Sequence, residues 1–392
     1  MRVGQLLTYV SRRRSGIFEF ACGLSRRVAE SGAESRVFGI RDEDATADAA
    51  RWQPVTPCLA RGIGPRVLGF APGLLPAVLR ADLDLLHAHG LWNMQSAVNL
   101  AWAARTRRPY VVSLHGMLNP LALRRSRTRK RAASALYERR RLRAAACVHA
   151  LGAHETGYLR RHGVSTAVAE VPYGIELPPL DVAVPPPAWR ERIEPGRRVL
   201  LYLGRLDPIK GLENLVRGWA LARAAAPARA EEWTLVVAGW GAPDYEALVR
   251  RAAAESGAGT SIVFAGPLFG ADREAAYRGA EACILPSLSE GMPVGVLEAW
   301  ARARPVLMTD ACHLPAGFEA GAAVRVGEGA TGAATAIGEL FSTSSADRRA
   351  MGARGRALVE RRFSWPVVAR QFLEVYGWLA GGGSPPAFVR TD

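Results

Sequence analysis

Short apolar runs of strand length recur through the chain with helical stretches between them, and they do so in two separate series. The first comprises residues 3–7, 36–40, 83–88, 110–114, 145–150 and 167–171, and the second residues 199–203, 235–238, 262–265, 282–285, 306–308 and 323–326. Short apolar strands alternating with Ala-, Leu- and Arg-rich helices imply parallel sheets covered by helices on both faces. Between the series lies Leu177-Pro-Pro-Leu-Asp-Val-Ala-Val-Pro-Pro-Pro-Ala188, whose five prolines in twelve residues make a stiff, extended connection. The expected architecture is two doubly wound α/β domains facing each other across a cleft, with ligands at the carboxyl ends of the strands.

Two domains suit 392 residues of which 49 % are apolar. No stretch of 18 apolar residues exists and the N-terminus lacks a signal pattern, so the expectation is a chain that neither spans a membrane nor is secreted. Five scattered cysteines without a C-x-x-C fit a reduced cytoplasm. The net charge of +15 is unevenly placed: residues 1–180 hold 27 basic and 13 acidic side chains, the remainder 24 and 23. Residues 124–143 are densest, with ten basic side chains, among them Arg124, Arg125, Arg129, Lys130 and Arg131, and one acid, Glu138. Interleaved Ala, Leu and Tyr make this a basic amphipathic helix, suited to an anionic membrane surface or a phosphate-bearing partner; a solvated helix is the plainer reading.

The strand ends of the second series carry convergent polar groups. Gly204-Arg-Leu-Asp-Pro-Ile-Lys-Gly211 is a glycine-bounded loop before a helix starting near Leu212, where a phosphate group fits. Arg205 offers a planar fork and Lys210 a mobile point charge, together able to neutralise a diphosphate without a metal. Glu290 and Glu298 lie eight apart in Ser287-Leu-Ser-Glu-Gly-Met-Pro-Val-Gly-Val-Leu-Glu298, with Glu290 on the turn and Glu298 just inside a helix. Spacing alone also allows one solvated loop acid and one helix acid.

Together these residues resemble the nucleotide-sugar half of a retaining glycosyltransferase of the GT-B fold, glycosyltransferase family 4. The likeness runs from about residue 15 to 315 and is strongest in Gly204-Arg-Leu-Asp-Pro-Ile-Lys-Gly-Leu-Glu213, Phe264-Ala-Gly-Pro-Leu268, Leu285-Pro-Ser-Leu-Ser-Glu-Gly-Met-Pro-Val-Gly-Val-Leu-Glu-Ala-Trp300 and Pro305-Val-Leu-Met-Thr-Asp310. The resemblance implies that Arg205 and Lys210 bind the donor diphosphate and that Glu298 holds the ribose. Glu290, with the backbone of Gly291, Met292 and Pro293, would read the donor sugar, and the turn at Gly266 to Leu268 would receive the base. Residues 1–177 resemble the family's acceptor-binding domain. Ser15-Gly16 stands at its paired-glycine loop, with Gly16 near the diphosphate, and residues 84–92 and 113–120 stand at two histidine-bearing strand ends. His115 is expected beside the reacting sugar, where a neutral imidazole could donate to a hydroxyl, and His89 on the acceptor side. The remaining boundaries are a linker at 178–196, a nucleotide-sugar domain at 197–362, and a closing helix at 363–392 packed on the first domain, with a short tail.

Several positions depart from the family pattern: Ser15 for the first glycine, Tyr173 for Asn, Ala303 for Gly, and His313 and Ala316 for Asn and Glu. None touches Arg205, Lys210, Glu290 or Glu298, so the expectation is retained activity with an unusual substrate preference. The expected reaction moves a sugar from a UDP- or GDP-sugar to a saccharide acceptor on a polyprenyl diphosphate, in polysaccharide synthesis of the exopolysaccharide or lipopolysaccharide type. No cofactor or metal is called for, and the enzyme would attach peripherally to the inner face of the plasma membrane. A nucleotide-sugar epimerase or hydrolase of the same fold is the nearer alternative. A nucleic-acid-binding protein lacks the stacking aromatics and modules such proteins use.

Overall fold

The computed structural model describes residues 1–12 and 15–391. The chain divides into two compact units, Met1–Gly174 with Trp365–Asp392, and Ile175–Ser364. In chain order the strands are β1 (Arg2–Tyr9), β2 (Glu34–Ile40), β3 (Cys58–Ala60), β4 (Leu85–His89), β5 (Tyr110–Ser113), β6 (Cys147–Ala150), β7 (Val168–Glu170), β8 (Arg198–Leu203), β9 (Trp233–Ala238), β10 (Ile262–Gly266), β11 (Ala282–Leu285), β12 (Val306–Met308), β13 (Ala323–Arg325) and β14 (Val389–Arg390).

The first unit's sheet runs β14-β7-β6-β5-β4-β1-β2-β3. Strands β4, β5 and β6 are buried at every position, as a parallel sheet covered on both faces requires. Two strands were not expected, β3 and β14, and β14 pairs antiparallel with β7, so this sheet is mixed. Both are edge strands of two or three residues, too short to show a period. The helix Trp365–Gly381 belongs to this unit and buries Trp365, Val368, Ala369, Phe372, Val375 and Tyr376. The second unit's sheet, β10-β9-β8-β11-β12-β13, is wholly parallel, and all six of its strands coincide with the second apolar series. The proline-rich stretch lies in this second unit and ends in the short 3-10 turn Ala188–Arg192.

The expected single basic helix over 124–143 is corrected. A short helix Pro120–Arg124, capped by Asn119, ends before Ser126, which takes a left-handed φ of 52°. A second helix then runs Arg127–Ala133, widens into a π turn at Ser134–Glu138 and continues as Arg139–Ala144. The π turn adds a residue to one turn of helix and shifts which side chains face inward. Glu138 and Arg141 are completely buried and paired at 2.6 Å, so neither belongs to a solvated basic face. Glu138 also accepts from the Trp92 amide and Ser96 Oγ, while Arg141 donates to Asn99 Oδ1 and the Gly90 carbonyl. This network anchors the segment after β4, where Gly90 and Trp92 both have positive φ.

In the second unit, the helix Ser345–Arg362 starts on Ser344, whose Oγ accepts from the Asp347 amide at 3.1 Å. Ser344→Ala should cost about 1 kcal/mol, read as a shift in the urea midpoint at unchanged slope.

Candidate functional site

Three loops at the carboxyl end of the second unit's sheet are laced together by backbone. The Gly204 amide donates to Ala238 O, Leu206 N–H to Trp240 O, and Gly239 N–H to Gly266 O. Gly239 has a φ of 143°, and a Cβ there would stand 1.8 Å from the Gly204 carbonyl, so only glycine allows the loops after β8 and β9 to touch. Gly211 does the same for the loop after β11: its φ is 69° and a Cβ would lie 2.3 Å from the Pro286 carbonyl. The Leu288 amide closes that contact by donating to Ile209 O at 2.8 Å. These contacts bring residues eighty positions apart into bonding distance.

Lys210 Nζ meets Glu290 Oε1 at 2.5 Å, with both side chains largely buried, and Ser287 Oγ donates to the same oxygen at 2.6 Å. The cation and carboxylate expected to serve different parts of a donor therefore face each other. Arg205 is 56 % exposed and only loosely tied to Asp207 at 3.4 Å, which leaves its guanidinium open to an anion. The buried Tyr202 hydroxyl holds this loop by donating to the Arg205 carbonyl.

Glu298 sits in the helix Val294–Ala301, for which Pro293 is the cap, so it stands beyond the first turn rather than at the helix start. It is ion-paired with Arg273 and accepts from Tyr277 Oη at 3.0 Å, two partners not anticipated from sequence. Glu298 holds the Arg273 guanidinium charged despite its burial, and burial pushes the Tyr277 hydroxyl well above its ordinary range. Both come from the helix Gly270–Gly279; their spacing of four on one helix face was the available signal. Gly266 has a φ of 75° with open space where a Cβ would stand, and Leu268 packs against the core. Gly291 and Met292 are half-buried on the turn between Glu290 and Pro293.

The first unit gathers four histidines at the ends of β4, β5 and β6. His87 and His89 lie side by side, ring centroids 4.3 Å apart. His89 Nδ1 is 3.1 Å from His115 Nε2, and His115 Nδ1 is 2.9 Å from the hydroxyl of Tyr173. Both ring nitrogens of His115 therefore have a protein partner. His149, not singled out from sequence, joins through Ser113 Oγ. Burial lowers the pKa of all four, His149 to about 4. Glu155 is also buried, its pKa raised to about 7 by desolvation, and it accepts from the Leu151 and Gly116 amides.

Gly16 stands in the first turn of the helix Ser15–Glu30, and a Cβ added to it would meet nothing within 4 Å. The side chain of Ser15, the departure beside it, lies outside the described residues. Ala303 and His313 both adopt left-handed φ of 54°, the conformation that Gly and Asn take most readily. Of the basic group, Arg124, Arg125 and Arg131 are exposed; Arg129 donates to the Val67 carbonyl at 2.9 Å and Lys130 to the Ala122 carbonyl. Among the described residues no helix is long and apolar enough to cross a membrane, and no three acidic, His or Cys side chains are grouped to hold a metal.

Residues 197–343 match the family described as glycosyl transferases group 1, and residues 15–174 the glycosyl transferase 4-like domain. A D-inositol 3-phosphate glycosyltransferase of Salinispora tropica is 33 % identical over 46 % of this chain, which spans 38 % of that relative's length. The Kineococcus radiotolerans protein of the same name is 29 % identical over 92 % of this chain and 90 % of its own. Among solved structures, Anabaena Alr3699/HepE in complex with UDP superposes with a TM-score of 0.74 at 19 % identity, over 95 % of this chain and 99 % of that one. That likeness shows the fold, two parallel-sheet α/β domains of the GT-B class. Both halves of the chain therefore belong to glycosyltransferase families, the first through its glycosyl transferase 4-like domain and the second through its glycosyl transferases group 1 domain.

Proposed function

We propose that the protein is a nucleotide-sugar-dependent glycosyltransferase that moves a hexosyl group from a UDP- or GDP-sugar to a phosphate-bearing acceptor with retention of configuration. The observation that carries the reading is the pairing of Lys210 with Glu290 beside the exposed Arg205, on loops that glycine contacts hold together. As the sugar–phosphate bond breaks, negative charge grows on the β-phosphate and positive charge on the sugar. A fixed cationic clamp stabilises the first without needing to reorganise. Arg205 and Lys210 take that role in place of a metal ion, Glu290 reads the sugar hydroxyls, and Glu298, held by Arg273 and Tyr277, takes the ribose. The UDP complex of the Anabaena neighbour supports a uridine nucleotide as the first donor to test.

For the acceptor, the leading reading is a saccharide on a polyprenyl diphosphate at the anionic inner face of the plasma membrane. Exposed Ile63, Val67, Leu68 and Phe70 in the first unit support it, since Arg129 ties their loop to the basic helix, and Leu121 is exposed on the short helix before it. A soluble inositol phosphate is the second reading, favoured by the relatives' names.

Donor binding is tested by thermal shift with UDP- and GDP-sugars; ligand at about 100 times its dissociation constant should add about 2.7 kcal/mol of stability. Glu298→Gln should abolish the shift. Sugar transfer to inositol phosphate without flotation on anionic liposomes would select the second acceptor. Release of nucleotide with no acceptor present would instead indicate the epimerase or hydrolase chemistry.

A further inference from the structure

The hydrogen bonds among the strand-end histidines run in single file, and the far end fixes the direction of every proton. His149 Nε2 lies 2.7 Å from the Val171 carbonyl oxygen, which can only accept, so Nε2 carries the ring proton and Nδ1 is bare. Ser113 Oγ, 2.6 Å from that Nδ1, donates to it and accepts in turn from His87 Nε2 at 2.6 Å. His87 Nδ1 is then bare and accepts from the Tyr376 hydroxyl at 2.6 Å, while Tyr376 accepts from Gln5 Nε2 at 3.4 Å. Gln5 Oε1 accepts from His89 Nε2 at 2.7 Å, and His89 Nδ1 accepts from His115 Nε2 at 3.1 Å. Last, His115 Nδ1 accepts from the Tyr173 hydroxyl at 2.9 Å. Turning the Gln5 amide over would set its Oε1 against the Tyr376 oxygen, whose proton is already committed to His87 Nδ1. Every imidazole in the file is neutral, as its burial requires.

The single ring proton of His115 is thus committed to His89, and only the Nδ1 lone pair is left for a ligand. Tyr173 covers that lone pair. We propose that the Tyr173 hydroxyl holds the place of a substrate hydroxyl on His115 Nδ1 and gives it up on binding, so that His115 meets the sugar as a hydrogen-bond acceptor. The proposal rests on the glycosyl-transfer reading only for the identity of the substrate. The surroundings fit a site held ready. Phe20 packs against both rings, with centroids 5.2 Å from His115 and 5.0 Å from Tyr173. His115 itself is held at a left-handed φ of 50°, next to the Gly116 amide that Glu155 binds. Tyr173 is also one of the departures from the family pattern, which places it where substrate preference could differ.

The test uses the full chain labelled with 15N-histidine and long-range 1H–15N correlation spectra, which report which ring nitrogen carries the proton. The expected spectrum shows His115 neutral with its proton on Nε2, and addition of UDP-sugar moves its Nδ1 resonance. Tyr173→Phe should keep that tautomer, shift Nδ1 toward an unbonded nitrogen in the free protein, and lower KM for the nucleotide sugar about threefold, because no protein hydroxyl has to be displaced. A proton on His115 Nδ1, or a KM that is unchanged or raised in the Phe variant, overturns the proposal. The wild-type spectrum decides the tautomer even if the variant does not fold. If no nucleotide sugar binds the wild type, the glycosyl-transfer reading fails while the file of protons is still decided by the spectrum.

Discussion

Acidification below about pH 6.5 should destabilise the first unit steeply, with the urea midpoint collapsing by about pH 5. His87, His89, His115 and His149 all have folded-state pKa values below the ordinary 6.5 because burial disfavours the imidazolium. The unfolded chain binds these protons and the folded one refuses them, so stability is intact above 6.5 and is lost as the pH falls toward the folded values. Each group contributes on the order of 1.4 kcal/mol per pH unit across its window. Glu155 works in the opposite sense. Its pKa is raised to about 7, so the folded state holds that proton more tightly and gains stability as the pH falls from 7 toward 4.5. It offsets roughly one histidine, His149, whose window runs from 6.5 to about 4. Three histidines are left, giving a ceiling near 4 kcal/mol per pH unit. A domain stable by about 5–15 kcal/mol does not survive long on such a slope. Urea unfolding at pH 7.5, 6.5, 5.5 and 4.5, resolved by peptide-level hydrogen exchange, checks this. A midpoint that stays flat for the Met1–Gly174 peptides would show that the cluster is not buried neutral.

Much of the fold was legible because its information is local. All six strands of the second sheet stand where short Val- and Leu-rich runs stand, since a strand covered on both faces has no polar positions to hide it. The basic stretch misled for an equally physical reason. Charge density cannot show that Ser126 leaves the helix or that a π turn carries Glu138 inward to Arg141. At the site, Arg205, Lys210, Glu290 and Glu298 were visible as residue types on strand-end loops, but not which of them would touch. The loops at Gly211 and Pro286 approach so closely only because a glycine meets a backbone carbonyl, a contact between residues that no local window spans. The histidines show the same limit. His87, His89 and His115 could be singled out from the chain, yet the tautomer of His115 depends on Tyr376 and His149, which reach it through Gln5 and Ser113.

Replacing Lys210 by Ala should lower kcat/KM by about two orders of magnitude, roughly 3 kcal/mol of transition-state stabilisation. Two effects add in that variant. The leaving diphosphate loses a cation, and Glu290, only 9 % exposed, loses its lysine partner while keeping the Ser287 hydroxyl as a donor. The second effect is separable, because Lys210→Ala in a Glu290→Gln background removes the cation without stranding a carboxylate. If Lys210 served only to neutralise Glu290, the double variant would recover most of the activity lost in Lys210→Ala. If it clamps the diphosphate, the double variant stays slow and the coupling energy of the cycle falls well short of the single-variant loss. Arg205→Ala gives the control: its guanidinium is exposed and loosely held, so its removal strands no buried acid. A comparable loss of about 3 kcal/mol there, with thermal stability unchanged, is expected of a group that acts on the leaving phosphate. Near-wild-type turnover in both Arg205→Ala and the double variant would remove the donor clamp from this loop altogether.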